Sequence, residues 1–259
     1  MSSKSVDTQH DSYDVPSKSE PSASNAPRRQ SKAVPTSKRR STLLFGAGPA
    51  APAPHVPFRA PRSYPADTRM QSLLSSQDTN WSQKQSPKTM AALPSQVALP
   101  EWLAVNALFY YNQINDYYGY LASSDSCTCE KMTIGPRYEF LWADGKTIRN
   151  PINIPASDYI DYVMLWVEAN FDDTRLFPDY DDGHYGKTYM ETIKSVFKRL
   201  FRVLGHMIVD HKGDLKARSL DAPVERLLRC FLELVKKWKL MDKRQLRPIQ
   251  KLMDNWKKA

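Results

Sequence analysis

From residue 99 onward, apolar side chains recur at the 3.6-residue spacing of amphipathic helices. This spacing predicts one helix that ends near Gly119. Two short apolar runs around Asp144-Gly145 predict a small β-hairpin, which Pro151 and Pro155 end. The apolar positions of the first helix are Trp102, Val105, Leu108, Phe109, Tyr111, Ile114 and Tyr118.

Helix caps and stop signals set the boundaries of the remaining elements, and they predict a mostly helical bundle with one hairpin. Ser157 is expected to cap a buried central helix over Tyr159–Phe171. A long helix from about Thr188 to Lys212 is expected to stop at Gly213. Asp221 caps a helix that continues through Trp238, and Asp242 caps a last stretch that is interrupted or restarted at Pro248.

The N-terminal third has a different composition. Residues 1–100 hold 13 of the 19 prolines, 18 serines and 13 Lys+Arg against 6 Asp+Glu, whereas residues 101–259 hold 24 Lys+Arg against 22 Asp+Glu. Such a segment buries too little apolar surface to offset about 1–2 kcal/mol of backbone entropy per ordered residue. The sequence therefore predicts a disordered, basic Pro/Ser-rich tail over 1–92 and a folded domain over 93–259.

Two classes of protein are excluded by what the chain lacks. It has no window of about 18 apolar residues, which excludes a membrane span, and its N-terminus has no apolar stretch typical of a secretory signal. The three cysteines, Cys127, Cys129 and Cys230, are sparse and odd in number. This favours a reducing compartment, in which cysteines are thiols or metal ligands rather than disulfides.

Cysteine and histidine pairs indicate a possible metal site. Cys127 and Cys129 lie in a loop, and His206 and His211 lie at the end of the long helix. Two thiols and two imidazoles form the ligand inventory of a tetrahedral structural Zn²⁺ site. Residues five apart on a regular helix diverge by about 140°, so the helix must turn before His211. Ordinary buried thiols and surface imidazoles are the alternative.

A basic run on the long helix indicates an anion-binding surface. Lys198 and Arg202 share a helical face, and Arg199 lies about 100° around from Lys198. Three cations on a rigid helix suit a phosphate dianion, because Arg offers bidentate donors; a solvated flank is the alternative. The sequence contains no G-x-S-x-G, no H-E-x-x-H, no Gly-rich phosphate loop and no Rossmann fingerprint. Cys129 as nucleophile with His206 as base is conceivable.

Several motifs resemble those of the MOB kinase activator family. The segment LPSQVALPEWLAVN (93–106) resembles the family's opening L-P…E-W-[IL]-A-V-N, and GPRYEFLWADG (135–145) is similar to its G-P-R-Y-E-Y-x-W-A-D-G. NQIN (112–115), YIDY (159–162), LFP (176–178) and KRLFRV (198–203) follow in the family order. The resemblance covers residue 93 to the C-terminus, and the Lys-Arg-x-x-Arg triad is similar to that of the first MOB subclass.

The resemblance implies a fold, a cofactor and a role. The fold would be all-α, a four-helix-bundle core with extra helices and a small β-hairpin, stapled by a zinc site. Members are not enzymes: they bind and activate NDR/LATS-type AGC kinases through the kinase's basic N-terminal segment. They also dock phosphorylated motifs of upstream kinases or scaffolds in mitotic exit, cytokinesis or Hippo-type signalling. We expect a monomer in the cytoplasm, with the nucleus and the spindle pole or division site as further locations.

The resemblance also implies site residues. His206, His211 and Cys129 match the family's zinc ligands, while its first cysteine falls on Ser124, so we expect Cys127 as the fourth ligand and Asp125 as the fallback. Lys198, Arg199 and Arg202 match its phosphothreonine-binding triad. Two positions depart from the family, which usually has acids where this chain has Val97 and Phe109. The expected kinase-facing residues are Glu101, Trp102, Val105, Phe109 and Asp116.

Two other functions stay open on the sequence alone. A zinc hydrolase needs an open metal position and a nearby carboxylate base, for which only Asp210 lies close in sequence. A nucleic-acid-binding protein would depend on the basic tail, which lacks regular aromatic interleaving.

Overall fold

The computed structural model describes residues 57–123, 127–174, 176–177 and 185–257. Eight α-helices and one 3₁₀ turn occur in this part of the chain, and it contains no β-strand longer than an isolated bridge. The elements are α1 (Arg69–Ser82), α2 (Pro87–Met90), α3 (Leu99–Ala122), α4 (Ala156–Phe171), α5 (Tyr189–Asp210), α6 (Lys212–Ala217), α7 (Asp221–Lys237), the 3₁₀ turn Arg247–Ile249 and α8 (Gln250–Trp256).

The four long helices α3, α4, α5 and α7 form the core, which confirms the predicted all-α bundle. Helix α3 packs against the other three, and α5 also contacts α4 and α7. Aromatic rings fill the centre: Tyr110 of α3 meets Phe197 of α5 and Phe231 of α7 edge-on, with centroids 6.3 and 5.0 Å apart. Edge-to-face packing of this kind adds to the stabilisation from apolar burial. The rings therefore fix α5, the helix with the candidate site residues, against α3 and α7.

The domain begins earlier than the sequence predicted. Helix α1 packs along α3, and α2 packs against α7. Gln77 of α1 donates hydrogen bonds to the Met90 carbonyl and to Oδ1 of Asn106 on α3. The boundary at residue 92/93 is therefore wrong, because a few well-placed apolar residues in a polar segment suffice to dock a helix. Residues 1–56 lie outside the described residues.

An extended segment ahead of α1, Pro57–Tyr64, lies against α3 and α4. The side chains of Asn112 and Asn115 each exchange two hydrogen bonds with its backbone, at Arg62 and Arg59. The Arg59 guanidinium pairs with Asp161 at 2.8 Å and with Glu168 at 3.0 Å. Paired side-chain amides can satisfy an extended backbone as a neighbouring strand would, and so they hold this segment in place.

The predicted β-hairpin is present only as single bridges. Trp142 and Ile152 exchange two backbone hydrogen bonds of 2.8 and 2.9 Å, and Thr133 forms a second bridge with Glu139. Between Trp142 and Ile152 the chain turns at Gly145, whose φ is +75°, as the Asp-Gly pair predicted. Beyond this bridge the backbone N–H groups of Asp144 and Gly145 both donate to the Ile148 carbonyl, so the tight turn replaces further strand pairing.

Three predicted helix boundaries are also wrong. Helix α7 begins at Asp221, and its N-cap is Leu220, so Asp221 is not the cap. Helix α4 begins at Ala156 after Pro155, so Ser157 lies inside the helix and is not its cap. Helix α5 ends at Asp210, and Gly213 lies inside α6 rather than stopping the long helix.

Candidate functional site

The four predicted cysteine and histidine ligands lie together. The Sγ atoms of Cys127 and Cys129 and one ring nitrogen each of His206 and His211 all lie within 4.8 Å of one another. Cys127 Sγ is 3.6 Å from His206 Nε2, Cys129 Sγ is 3.6 Å from His211 Nε2, and the two Nε2 atoms are 3.2 Å apart. A tetrahedral Zn²⁺ requires S···N spacings of about 3.6 Å and N···N spacings of about 3.3 Å. The four atoms therefore fit a tetrahedral metal ion.

The break between α5 and α6 brings the two histidines together. His206 lies in the last turns of α5, whereas His211 is the junction residue, with φ −110° and ψ 26°. This non-helical conformation turns the imidazole of His211 back toward that of His206, which a regular helix would not permit. The predicted requirement for a turn before His211 is thus confirmed.

Each histidine uses its other ring nitrogen to contact the protein. His206 Nδ1 lies 2.8 Å from the Thr133 carbonyl oxygen and 3.2 Å from Asp210 Oδ2, and His211 Nδ1 lies 3.0 Å from Asp214 Oδ2. Such contacts fix the ring orientation and the tautomer that leaves Nε2 for the metal. Sequence reasoning considered Asp210 only as a base and missed Asp214. The i,i+4 and i,i+3 spacings of these acids from the histidines were the available signal.

Asp210 also holds the loop that carries the cysteines. The backbone N–H of Gly135 donates to both carboxylate oxygens of Asp210 at 3.1 Å. Gly135 has φ +66°, a conformation that favours glycine. The loop reaches α5 so closely that a Cβ added at Gly205 would lie 2.5 Å from Ile134 Cδ1. Glycine at 205 therefore allows the contact that places the loop beside His206.

The ionisable groups of the cluster shift one another's pKa values. Burial disfavours the thiolate of Cys127, but hydrogen bonds with His206 and His211 lower its pKa to about 6. Burial, together with the neighbouring Cys127, raises the pKa of Cys129 to about 11. Burial also opposes the charged form of His206, yet hydrogen bonds with Asp210 and Cys127 raise its pKa to about 9. A thiolate is the form of cysteine that binds metals, and one is favoured here by the imidazoles.

The structure bears on the choice of the fourth ligand. Cys127 occupies the fourth corner of the cluster at 3.6 Å from His206 Nε2. The fallback Asp125 and the family-aligned Ser124 lie outside the described residues. With two thiols and two imidazoles in place, the protein supplies a complete tetrahedral set, the pattern of structural rather than catalytic zinc sites.

The basic triad lies on α5, about one to two turns before His206. Arg199 is 7% exposed, and its guanidinium lies between the rings of Trp142 and Trp166, 4.5 Å from each centroid. Its Nη2 donates to the Ala143 carbonyl at 2.7 Å. Two aromatic faces stabilise the cation. The sequence identified the arginine but missed the tryptophan clamp, because Trp142 and Trp166 belong to other elements.

The other two cations are more exposed than Arg199. Arg202 donates to the hydroxyl of Tyr159 at 2.8 Å and lies over the Phe140 ring at 5.0 Å. Lys198 is half-buried and lines a groove next to the triad. The triad therefore combines one cation fixed in place with two near the surface.

The expected kinase-facing residues do not form an exposed patch. Trp102, Val105 and Phe109 are at most 3% exposed, because α1 covers this face of α3 and the ring of Trp81 packs on that of Phe109. The prediction that these three side chains contact a partner directly is therefore wrong, because they belong to the core. The sequence did not reveal this, because α1 was assigned to the tail. Glu101 and Asp116 are partly exposed. Glu101 pairs with Arg69 of α1 at 3.0 Å.

No helix within the described residues is both long enough and apolar enough to span a membrane.

Comparisons with known proteins match about two thirds of the chain. Residues 79–249 match the Mob1/phocein family. MOB kinase activator-like 1 homolog B of Dictyostelium discoideum is 37% identical over 171 residues, which are 65% of this chain and 78% of the relative. Homolog C of the same organism is 39% identical over 165 residues (62% and 76%). MOB kinase activator-like 1B of Arabidopsis thaliana is 36% identical over 166 residues (63% and 76%).

Proposed function

The chain belongs to the Mob1/phocein family, and from that premise we propose that it is a non-enzymatic scaffold that binds and activates protein kinases. The names of its relatives from Dictyostelium discoideum and Arabidopsis thaliana, MOB kinase activator-like 1, support this role. The proposed kinases are AGC kinases of the NDR/LATS type, and the proposed processes are mitotic exit, cytokinesis or Hippo-type signalling. The site of action would be the cytoplasm, the nucleus or the spindle pole or division site.

The triad on α5 is the proposed docking site for a phosphothreonine, and the clamp around Arg199 carries this proposal. Its guanidinium is held by two tryptophan rings and one carbonyl, so its position does not depend on a bound partner. Lys198 and Arg202 lie within one turn of it and add two charges that a phosphate dianion can contact. The Lys-Arg-x-x-Arg pattern also supports membership of the first MOB subclass.

We propose Zn²⁺ as the metal of the cysteine and histidine cluster. Two thiols and two imidazoles are a common zinc set, and their spacings match its bond lengths. When bound, the ion would supply a cross-link between the loop after α3 and the α5–α6 junction. Arg202 lies one turn before His206, so holding this junction also supports the phosphate-binding surface.

The kinase segment is proposed to contact the start of α3 and the adjoining α1. Glu101 is the acidic group here, 13% exposed and paired with Arg69, and Asp116 is a second, partly exposed acid on α3. Trp102, Val105 and Phe109 would support this surface from below. Glu101 and Asp116 are the acids here that a basic partner segment would contact, and ordering of the kinase's N-terminal helices would favour its active conformation.

Peptide binding tests the phosphate site. Isothermal titration calorimetry would compare a phosphothreonine peptide with its unphosphorylated form, on the wild type and on Lys198→Ala/Arg202→Gln. We expect the phosphorylated peptide to bind at least about tenfold more tightly to the wild type, and the variant to lose that preference. Lys88→Gln/Lys216→Gln, at exposed positions outside α5, is the matched control because it also removes two positive charges. Equal affinity for both peptide forms would exclude the site.

Kinase capture tests the other half of the proposal separately. Affinity purification with mass spectrometry should recover an AGC kinase with the wild type and less of it with Glu101→Lys. Because Glu101 also caps α3 and pairs with Arg69, thermal melting of Glu101→Lys and of the milder Glu101→Gln would show whether the fold is kept. A set of partners without AGC kinases would overturn the kinase proposal while leaving the phosphate site intact.

A further inference from the structure

A groove next to the triad is lined by lysines. It has a volume of about 850 Å³ and lies between α5, the end of α7 with the turn that follows, and α8. Its lining contains six lysines and a single carboxylate, Asp242. The lysines are Lys194, Lys198, Lys236, Lys239, Lys243 and Lys257.

Most of this positive charge is not balanced by the protein. Lys257 pairs with Asp254 at 3.2 Å, and Asp242 accepts a hydrogen bond from the Gln245 backbone. In the part of the chain that the structure describes, none of the other five lysines forms an ion pair with a carboxylate. Such a concentration of like charge is unfavourable unless an anion offsets it, so the groove suits a negatively charged partner.

The base of the groove is apolar. Leu240 and Leu246 are 1% and 6% exposed, and Met241 and Met253 are half-buried beside them. An apolar base below charged walls can pack the backbone and aliphatic atoms of a peptide while the lysines contact its acids.

The groove is continuous with the phosphate-binding triad. Lys198 belongs to both, and Lys194, Lys198 and Arg202 follow one another at four-residue intervals along α5. Each interval advances about 6 Å and rotates only about 40°, so the three cations form one stripe. At about 3.3 Å per residue, an extended peptide needs about four residues to pass from Arg202 to Lys194.

We propose that this lysine groove binds an acidic flank of the phosphothreonine peptide, with Asp or Glu two to six residues from the phosphorylated position. The inference depends on the proposed phosphate site, since the peptide would be anchored there by Arg199 and Arg202. A peptide is favoured over an anionic membrane surface because the charge lies in a concave groove with an apolar base, and because one chain can fill both sites through Lys198.

Binding measurements on the full chain test this. Fluorescence anisotropy would use two phosphothreonine peptides, one with four glutamates before the phosphothreonine and one with four glutamates after it. Each would be compared with the same peptide carrying four glutamines instead. The protein variants are Lys194→Gln/Lys236→Gln/Lys243→Gln and the control Lys88→Gln/Lys216→Gln/Lys237→Gln, which removes equal charge from exposed positions outside the groove. Lys237 matches Lys236 at the end of α7.

We expect one glutamate-flanked peptide to bind the wild type about tenfold more tightly than its glutamine counterpart, with an advantage that falls as salt rises. The groove variant should lose this advantage and keep its affinity for the glutamine-flanked peptide, and the control should behave as the wild type.

Equal affinity for all flanks, with phosphothreonine dependence retained, would overturn the proposal for the groove but not the one for the phosphate site. Loss of phosphothreonine dependence in the wild type would instead overturn the phosphate site. If the protein sedimented with phosphatidylserine vesicles through the groove lysines, and peptide affinity did not depend on the flanks, the groove would be a membrane-binding surface. That result would overturn the proposal that it binds a peptide.

Discussion

His206 and His211 lie five residues apart in sequence, yet their Nε2 atoms lie 3.2 Å apart in space. The change of backbone conformation at His211, where α5 ends and α6 begins, produces this proximity. Both histidines are almost fully buried, and each Nε2 atom also lies 3.6 Å from a cysteine Sγ atom. A metal ion bound to all four would link the loop after α3 to this junction.

Metal removal should destabilise the protein, and Cys127 should be required for the metal. We expect one zinc per chain by atomic emission and a lower melting temperature with a chelator, because metal bound only by the folded state stabilises that state. Cys127→Ser should contain less zinc and melt earlier than the wild type. The control is Thr128→Ala, at the exposed position between the two cysteines. Full zinc content in Cys127→Ser would show that another residue is the fourth ligand.

The sequence predicted which cysteines and histidines form a cluster better than it predicted the surroundings of that cluster. Ligand types and the break before His211 follow from cysteine and histidine spacing with local helix rules. The contacts of Thr133 and Gly135 with His206 and Asp210 do not, because they join segments about 75 residues apart. The Trp142–Arg199–Trp166 clamp was missed for the same reason, since its three residues belong to different elements.

Helix α1 was missed for a different reason. It is polar overall and covers α3 with a few apolar residues such as Met70 and Leu74, so its mean composition resembles that of a tail. The long helices were predicted because apolar periodicity over many turns is a strong local signal. Their ends were less accurate, since Pro155 and His211, rather than the expected cap and stop residues, set where α4 begins and α5 ends.

Asp210 should matter more than Asp214, although both contact a histidine ligand. Asp210 contacts His206 and also accepts the Gly135 N–H, whereas Asp214 contacts His211 and is 43% exposed. We expect Asp214→Asn to weaken zinc binding by about tenfold and Asp210→Asn by up to about a hundredfold. Competition with a chromophoric chelator measures both affinities. A larger loss in Asp214→Asn would contradict the dual role of Asp210.

The ion pair between Arg59 and Glu168 should give stability that depends on pH. Burial raises the pKa of Glu168, but hydrogen bonds from Arg59 and Tyr111 outweigh it and hold that pKa below its ordinary value. A carboxyl with a lowered pKa in the folded state stabilises the fold above its unfolded pKa of about 4.3, and this contribution is lost as pH falls through the folded pKa. Arg59→Gln should therefore reduce the free energy of unfolding by about 1–2 kcal/mol at pH 7.

Urea unfolding between pH 3 and pH 7 checks this dependence. The difference between the wild type and Arg59→Gln should shrink as pH falls below about 5. Lys131→Gln is the control: Lys131 pairs with Glu139 at 3.3 Å and its side chain is 52% exposed, and such a pair contributes at most about 1 kcal/mol. A difference for Arg59→Gln that stays constant down to pH 3 would show that the lost stability comes from packing rather than from the ion pair.

Truncation should locate the true start of the domain. A chain that begins at residue 57 keeps every described contact, so its melting temperature should equal that of the full chain. A chain that begins at residue 93 lacks α1 and α2 and with them the buried side chains of Met70, Leu74 and Met90. Loss of these three costs about 5–9 kcal/mol at about 1.5–3 kcal/mol each, which is comparable to the whole stability of a typical domain.

The shortest chain is therefore expected to unfold or aggregate, as judged by circular dichroism and gel filtration. A chain that begins at residue 65 separates the two contributions, because it keeps α1 and α2 but lacks the Pro57–Tyr64 segment and its ion pairs with α4. It should fold and melt below the chain that begins at residue 57. If the chain from residue 93 melted as high as the full chain, α1 would be a detachable cover on α3, and Trp102, Val105 and Phe109 would then be accessible to a kinase after all.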